Sequence, residues 1–459
     1  MKPLRKQGII LFTILALIMV ACGGSDTAEE TVEATPEVVE TLDSPAVTTA
    51  STVDTGVGVT SDPCPEVIGG IPTGADPSKG CIYLGLLNDY TGPFGPYGIP
   101  LETGQRGFWL WANQTGGVGD YSVAIVEGYD TQYNPQKHLE GYKAQRGEVA
   151  ALAMSLGTPQ TQFILDDMDA DNMIAAPMSW YSGWSYKGSD RGLVVEFGAA
   201  YCADGMNALD WAMANLPVDI KTVGVMGYAG DYGGDYAAGV TAAAEANGIT
   251  VAWEYIVPSS EFDVAQAVGL MVTKPVDAYF PAIGPGFMAQ VAGGAFQQGL
   301  TPIAMMAAPS YNDAFTAEGF ALAPLFQSGS MYLMAFVAPY EAQTPGHAAM
   351  RATLQAMGVD SGNLFLTAGW ASQHHLKGVL EAAVKGGDLT RAGIRRAAAN
   401  VSVSSDGMMP TRELGQDRAD AESFIGIPDE SQTSGIRLLS GNYVGPTAAG
   451  YDWEAGPCS

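Results

Sequence analysis

The chain has 459 residues, with 21 Lys and Arg against 49 Asp and Glu, and a formal net charge of −28. Such an acidic surface repels nucleic acid and anionic lipid, so partners of either kind are excluded on charge. The length is too great for one small core and suits two or three domains.

The N-terminus has the features of an export signal. Lys2, Arg5 and Lys6 precede an apolar run at 8–20, and Cys22 follows small residues. The run is shorter than the roughly 20 apolar residues that a membrane span needs. The Met-Val-Ala-Cys sequence at 19–22 resembles a bacterial lipobox, which implies cleavage before Cys22 and attachment of lipid to it. We therefore expect residues 1–21 to be a signal peptide and Cys22 to anchor the protein at the outer face of a bacterial membrane, in a one- or two-membrane envelope.

Residues 22–62 are predicted to be a disordered acidic spacer. The segment is rich in Thr, Val, Glu, Ala, Ser and Pro without an apolar period, so it buries too little surface to fold. Its expected role is to give the tethered domains reach from the membrane.

Four cysteines remain once Cys22 carries lipid. An even number in an exported chain indicates two disulfides, for which three pairings are possible. We favour Cys64 with Cys81, a local link, and Cys202 with Cys458, which would hold the C-terminal tail. A zinc site is the alternative, but no Cys-x-x-Cys occurs and the four His are not spaced with the cysteines. We expect no metal and no cofactor.

After residue 81 the pattern alternates between strand and helix, which predicts an α/β fold with parallel sheets and right-handed crossovers. Two such blocks occur, so two lobes are expected. Ligands of such folds bind in the crevice at the carboxyl ends of the strands. The first block is a strand at 82–87, a loop at 88–100, a helix at 101–113 and a strand at 121–127; the second is strands at 221–228, 250–256 and 276–283, a loop at 230–235, and helices at 236–247 and 287–298.

Several segments in order then resemble the periplasmic solute-binding proteins of ATP-binding-cassette (ABC) importers, in the branch of the leucine/isoleucine/valine-binding protein. The resemblance covers about residues 82–400. It implies a two-lobed type I periplasmic-binding-protein fold, in which each lobe is a parallel sheet flanked by helices and three crossovers form the hinge. Lobe 1 would be 80–198 plus 335–405, and lobe 2 would be 199–334 plus 406–459. The segments that carry it are 89–98, 112–118, 126–135, 157–161, 175–177, 231–233 and 295–300.

The same resemblance implies which loops border the ligand. Simpler roles are also open: a structural turn at 90–93, helix capping by Thr158 or Thr161, and core packing of the aromatic cluster around Trp180. The expected ligand-binding residues are Tyr90, Thr91, Tyr97, Thr158, Gln160, Thr161, Ser179 and Trp180 from lobe 1, with Asp231, Tyr232, Gly284, Ser310 and Tyr311 from lobe 2.

The sequence departs from the amino-acid binders at one position. Where they carry an acid that pairs with the ligand's ammonium, this chain has Ser310, with Asp313 three positions later. Because a buried ammonium needs a carboxylate, either Asp231 or Asp313 replaces that acid, or the ligand is not an α-amino acid. Amides, urea, aromatic acids and other small polar organics are then candidates, and the many Trp and Tyr favour a flat or apolar face.

We therefore predict a monomeric binding protein without catalysis that takes a small solute to an ABC permease. A receptor subunit that senses the same solute is the first alternative. An exported hydrolase is the second. It is disfavoured because the chain has no Gly-x-Ser-x-Gly or His-Glu-x-x-His motif, and His374-His375 is an isolated pair.

Overall fold

A computed structural model describes residues 53–458 of the chain. The predicted signal peptide at 1–21, lipidation at Cys22 and most of the predicted spacer lie outside the described residues. Among the residues that are described, no helix has the length and apolar character to span a bilayer.

The described chain alternates strands and helices over most of its length. The strands are β1 (Asp54–Thr55), β2 (Val59–Thr60), β3 (Val67–Ile68), β4 (Ile71–Pro72), β5 (Gly80–Asn88), β6 (Tyr121–Ile125), β7 (Tyr129–Asp130), β8 (Ala151–Leu156), β9 (Ala175–Met178), β10 (Thr222–Tyr228), β11 (Thr250–Val257), β12 (Ala278–Ala282), β13 (Ile303–Met306), β14 (Met331–Ala335), β15 (Asp388–Leu389), β16 (Ser402–Val403), β17 (Arg412–Glu413), β18 (Ser423–Pro428) and β19 (Ile436–Tyr443). The helices are α1 (Gly95–Gln114), α2 (Pro135–Gln145), α3 (Thr158–Phe163), α4 (Leu165–Asp171), α5 (Lys187–Asp190), α6 (Tyr201–Asn215), α7 (Tyr232–Asn247), α8 (Val264–Thr273), α9 (Pro285–Gln297), α10 (Ala323–Phe326), α11 (Pro345–Ala356), α12 (Leu364–Lys385), α13 (Arg391–Ala398) and α14 (Pro446–Gly450).

Two larger sheets form the centres of the two lobes. The lobe 1 sheet has the order β2-β5-β8-β9, with β6 and β7 also paired to β5. The lobe 2 sheet has the order β11-β10-β12-β13-β14-β18-β19. Strands β5 to β9 pair in parallel, as do β10 to β14, while β2, β18 and β19 are antiparallel additions. The predicted two-lobed α/β fold with parallel sheets is confirmed.

The chain passes between the lobes three times. It leaves lobe 1 after β9, returns after β14 to α11 and α12, which pack on α1, and crosses again before β18. These passages are the three predicted crossovers. The residue-by-residue lobe boundaries stay a prediction.

The predicted spacer extends less far than expected. Within it, β1 pairs in parallel with β15, and β2 pairs antiparallel with β5 through Val59 and Thr60. The amide of Tyr83 also donates to the carbonyl of Gly58, at 2.7 Å. Composition did not show this because two-residue strands have no period; the pairing comes from the open backbone groups at the edge of β5.

Two predicted helices begin earlier in the structure. Helix α1 starts at Gly95 rather than residue 101, and α7 starts at Tyr232 rather than residue 236. Glycine and proline suggested loops there, but proline is tolerated in a first helical turn. In α1 the buried Tyr97 and Leu101 hold that turn against the core, and in α7 the Asp231 side chain caps the first turn.

The structure contains both predicted disulfides, Cys64–Cys81 and Cys202–Cys458. The first links β5 to the segment before it. The second joins the start of α6 to the C-terminal tail.

Glycines bring α1 and α12 into close contact. A Cβ at Gly104 would lie 2.1 Å from the carbonyl oxygen of Leu366, and one at Gly369 would lie 2.2 Å from that of Leu101. We expect Gly104→Ala to lower the free energy of unfolding by about 1–3 kcal/mol, because the helices must separate. Denaturant unfolding measures this. Gly286→Ala is the control, since a Cβ there meets nothing within 4 Å; equal losses in the two variants would contradict the expectation.

Candidate functional site

A cavity lies between the two lobes, at the carboxyl ends of β8, β9 and β10. Its free volume is about 30 Å³, small against the several hundred Å³ of typical solute pockets. A solute therefore requires the lobes or their side chains to move apart. The lining residues are Phe94, Tyr97, Leu101, Tyr133, Leu156, Gly157, Thr158, Met178, Ser179, Trp180, Tyr201, Asp231, Tyr232, Pro309 and Phe365.

Aromatic rings make up most of the cavity wall. The ring centroid of Phe94 lies 4.5 Å from that of Tyr133 and 6.1 Å from that of Tyr232, across the cleft. The rings of Tyr201 and Tyr232 are 5.3 Å apart. Trp180 is stacked on Phe336 with an interplanar angle of 4°, which fixes its orientation. Such a wall favours a ligand with an apolar or flat body.

A pair of hydroxyl groups provides a polar patch on the lobe 1 side. The Oγ1 of Thr158 and the Oγ of Ser179 are 2.7 Å apart, and both side chains are buried. The indole Nε1 of Trp184 donates to Ser179 Oγ at 3.0 Å. The backbone places both residues at strand ends, Thr158 two residues after β8 and Ser179 directly after β9.

Asp231 is the ionisable acid of the cavity. It precedes α7, and its Oδ1 accepts from the backbone amide of Tyr232 at 2.7 Å. Its Oδ2 accepts from the hydroxyl of Tyr133 at 2.5 Å. Burial raises the pKa of Asp231 to about 6, although the hydrogen bond from Tyr133 opposes that rise. None of the described residues that line the cavity is Lys, Arg or His.

Hydrogen bonds across the cleft join the lobes. The Tyr133–Asp231 bond is one. Another comes from Tyr97 on α1, whose hydroxyl donates to the carbonyl of Tyr311 at 2.8 Å and lies 3.2 Å from that of Pro309. Both bonds involve residues that line the cavity. The bonds that break when the lobes separate therefore lie where a solute would enter.

Two polar groups of the wall have no partner in the structure, the indole Nε1 of Trp180 and the hydroxyl of Tyr232. The hydroxyl of Tyr232 is buried and makes no hydrogen bond. An unsatisfied buried hydroxyl is unfavourable. It is available to a ligand.

Six of the predicted ligand-binding residues line this cavity: Tyr97, Thr158, Ser179, Trp180, Asp231 and Tyr232. Tyr90 and Thr91 do not. The hydroxyl of Tyr90 donates to Glu102 at 2.5 Å, and that of Thr91 donates to Asp130 at 2.6 Å. These bonds fit the alternative of a structural turn at 90–93.

The remaining five predicted residues also lie outside the cavity lining. Gln160 donates to the carbonyl of Tyr133 at 2.8 Å, and Thr161 Oγ1 is 2.7 Å from Ser155 Oγ. The amide of Gly284 donates to the Tyr228 hydroxyl at 2.9 Å. Ser310 donates to the carbonyl of Pro281 at 3.1 Å, and Tyr311 to that of Gly435 at 2.7 Å. These five residues therefore lie behind the cavity wall, where they bond to neighbouring backbone and side chains.

Sequence reasoning missed several wall residues. Tyr133 lies in a segment that carried the family resemblance, and Gln132 and Tyr133 both have positive φ angles, of 53° and 52°. Phe365 comes from α12, far along the chain, and no sequence signal marks it. Of the two acids proposed to pair with an ammonium, Asp231 lines the cavity and Asp313 does not.

Asp231→Asn is expected to stabilise the fold at high pH. The pKa of Asp231 is raised from 3.8 to about 6 in the folded protein. Native protein therefore binds more protons than unfolded protein between these values, and the stability that this provides is lost as the pH rises through about 6. Asn carries no charge. The free energy of unfolding of the variant, relative to that of the original protein, should therefore rise by about 2–3 kcal/mol between pH 4 and pH 8. Urea unfolding across this range measures it; an advantage independent of pH would contradict it.

Comparison with known proteins agrees with this architecture. The sequence profile of the family described as "Periplasmic binding protein" matches residues 81–423. The chain belongs to the periplasmic binding protein family. No curated protein matches its sequence significantly.

Several solved structures share the fold. A fatty acid ABC transporter substrate-binding protein from Thermomonospora curvata has a TM-score of 0.77 at 24% identity, covering 88% of this chain and 98% of that one. A branched chain amino acid ABC transporter protein from Thermus thermophilus with bound valine has a TM-score of 0.67 at 14% identity, covering 80% and 98%. A solute binding protein from R. palustris in complex with 4-hydroxybenzoate has a TM-score of 0.64 at 14% identity, also covering 80% and 98%. At these identities the likeness shows the fold alone.

Proposed function

We propose that this periplasmic binding protein captures a small organic solute between its lobes and delivers it to an ABC importer without altering it. The observation that carries the proposal is a cavity lined from both lobes, with Tyr133 and Asp231 bonded across it. A ligand that touches both lobes favours the closed state, and closure gives a membrane partner a signal to recognise.

The side chains of the cavity support binding rather than catalysis. Ser179 Oγ contacts Thr158 and Trp184, neither of which is a base that would activate it. The ABC-transporter structures compared above are named for fatty acids, valine and 4-hydroxybenzoate as solutes. The aromatic wall suits a solute with an apolar body. Anchoring through a lipid on Cys22, after removal of residues 1–21, would hold the protein outside the membrane near its permease.

A thermal-shift screen on the full chain in mild detergent tests the proposal. The panel is amino acids, amides, urea, aromatic acids, alcohols and amines. A solute that binds only the native state raises the melting temperature. A shift with unchanged solute after incubation supports the proposal; absence of any shift, or conversion of a compound to product, contradicts it.

Thr158→Val should weaken binding of whichever solute the screen finds. The substitution keeps the shape of the side chain and removes the hydroxyl that faces Ser179, so about a tenfold rise in Kd is expected. Thr91→Val is the matched control, because Thr91 bonds Asp130 outside the cavity. Calorimetric titration measures both. Equal effects of the two variants would place the solute elsewhere.

A further inference from the structure

The charge of the cavity is unusual for a site that takes a carboxylic acid. Asp231 is 8% exposed, and its oxygens accept from the hydroxyls of Tyr133 and Thr158 and from a backbone amide. The lining described above contains no basic side chain. A bound carboxylate would meet this acid without any cation to offset it.

The aromatic wall of the cavity favours a cation. The faces of Tyr, Trp and Phe rings attract cations, most strongly where water is excluded. Tyr133 contacts Asp231 directly, and Phe94, Tyr201 and Tyr232 surround the same space. The unpartnered hydroxyl of Tyr232 and the unpartnered indole N–H of Trp180 add neutral polar groups to this wall.

Resting on the proposed function, we infer that the solute is an organic monocation, an amine or quaternary ammonium on a small apolar body. Its cationic nitrogen lies against Asp231, and its apolar body lies between the rings of Phe94, Tyr201 and Tyr232. The cation removes the cost of a buried carboxylate without a counter-charge. Asp231 thus determines specificity for charge, and the rings determine it for shape.

The pH dependence of affinity separates this inference from its alternatives. The tyrosines facing Asp231 are Tyr133, Tyr201, Tyr228 and Tyr232, and burial raises the pKa of each above 10. They stay neutral near pH 6, where Asp231 ionises. Cation affinity should therefore rise about tenfold from pH 5 to pH 8, whereas carboxylate affinity should fall.

Calorimetry on the full chain with two matched sets of probes tests the inference. One set is choline, its neutral analogue 3,3-dimethylbutan-1-ol, and 3,3-dimethylbutanoate. The other is phenethylamine, 2-phenylethanol and 3-phenylpropanoate. In at least one set we expect the cation to bind at least tenfold more tightly than the alcohol and the acid, and to bind more tightly at pH 8 than at pH 5.

Two variants localise the effect. Asp231→Asn should remove the preference for the cation over the alcohol and abolish the pH dependence, while alcohol binding shows that the cavity is intact. Asp313→Asn should change neither, because Asp313 does not line the cavity.

Tighter binding of an alcohol or an acid, affinity that falls with pH, or no binding of either cation would overturn the inference. The proposed function fails separately, if the broader thermal-shift panel contains no solute that binds.

Discussion

Arg412→Met is expected to lower the free energy of unfolding by about 3–5 kcal/mol, because it leaves a buried carboxylate without its partner. Arg412 is 6% exposed and forms ion pairs with Glu196 and Asp420. It also donates to Ser185 at 3.3 Å. Glu196 lies on the first crossover and Arg412 on the approach to the third, so the pair joins two hinge segments. Denaturant unfolding at neutral pH measures the loss.

Two further variants separate burial from charge. Adding Glu196→Gln to Arg412→Met should recover a large part of the loss, since the unpaired carboxylate is gone. Arg437→Met removes a surface pair with Asp429, in which Arg437 is 51% exposed, and should cost less than about 1 kcal/mol. If Arg412→Met is no more destabilising than Arg437→Met, the hinge pair contributes no special stability.

Replacing both Cys202 and Cys458 by Ser is expected to lower the free energy of unfolding by about 5–6 kcal/mol. This disulfide closes a separation of 256 residues. A long closed loop restricts the unfolded chain strongly, and its loss releases the C-terminal tail from α6. Unfolding in guanidinium chloride without reductant measures the change.

The other disulfide is the internal comparison. Cys64 and Cys81 are separated by 17 residues, so replacing both by Ser should cost about 3 kcal/mol. The expected order is therefore a larger loss for the long loop. A larger loss for the Cys64–Cys81 pair would show that local packing, not chain closure, sets the contribution.

The sequence predicted elements whose signal is local. The apolar run at 82–87 and the alternation at 221–228 correspond to β5 and β10. The first turns of α1 and α7 were missed because buried Tyr97 and the cap at Asp231 outweigh local glycine and proline preferences. Tertiary contacts decided those boundaries.

The residues of the candidate site also fall into two groups, those that the strand pattern predicts and those that tertiary packing decides. Thr158, Ser179 and Asp231 lie within three residues of the ends of β8, β9 and β10, so the strand pattern places them at the cleft edge. Gly284, Ser310 and Tyr311 also follow strands, but their polar groups turn to neighbouring backbone and side chains. Which way a loop side chain points depends on packing between elements distant in sequence. Phe365 reaches the wall from α12 for that reason.

The distance between the lobes, with and without solute, tests the clamp most directly. Phe163 on α3 and Phe296 on α9 are 47% and 54% exposed and lie on different lobes, so spin labels at Phe163→Cys and Phe296→Cys report lobe separation. The narrow cavity shows the lobes close together, and solute-free protein must also open to admit a solute. A saturating solute from the screen should therefore shift the distance distribution measured by pulsed electron resonance away from open separations and narrow it. A distribution unchanged by a bound solute would contradict capture by lobe closure.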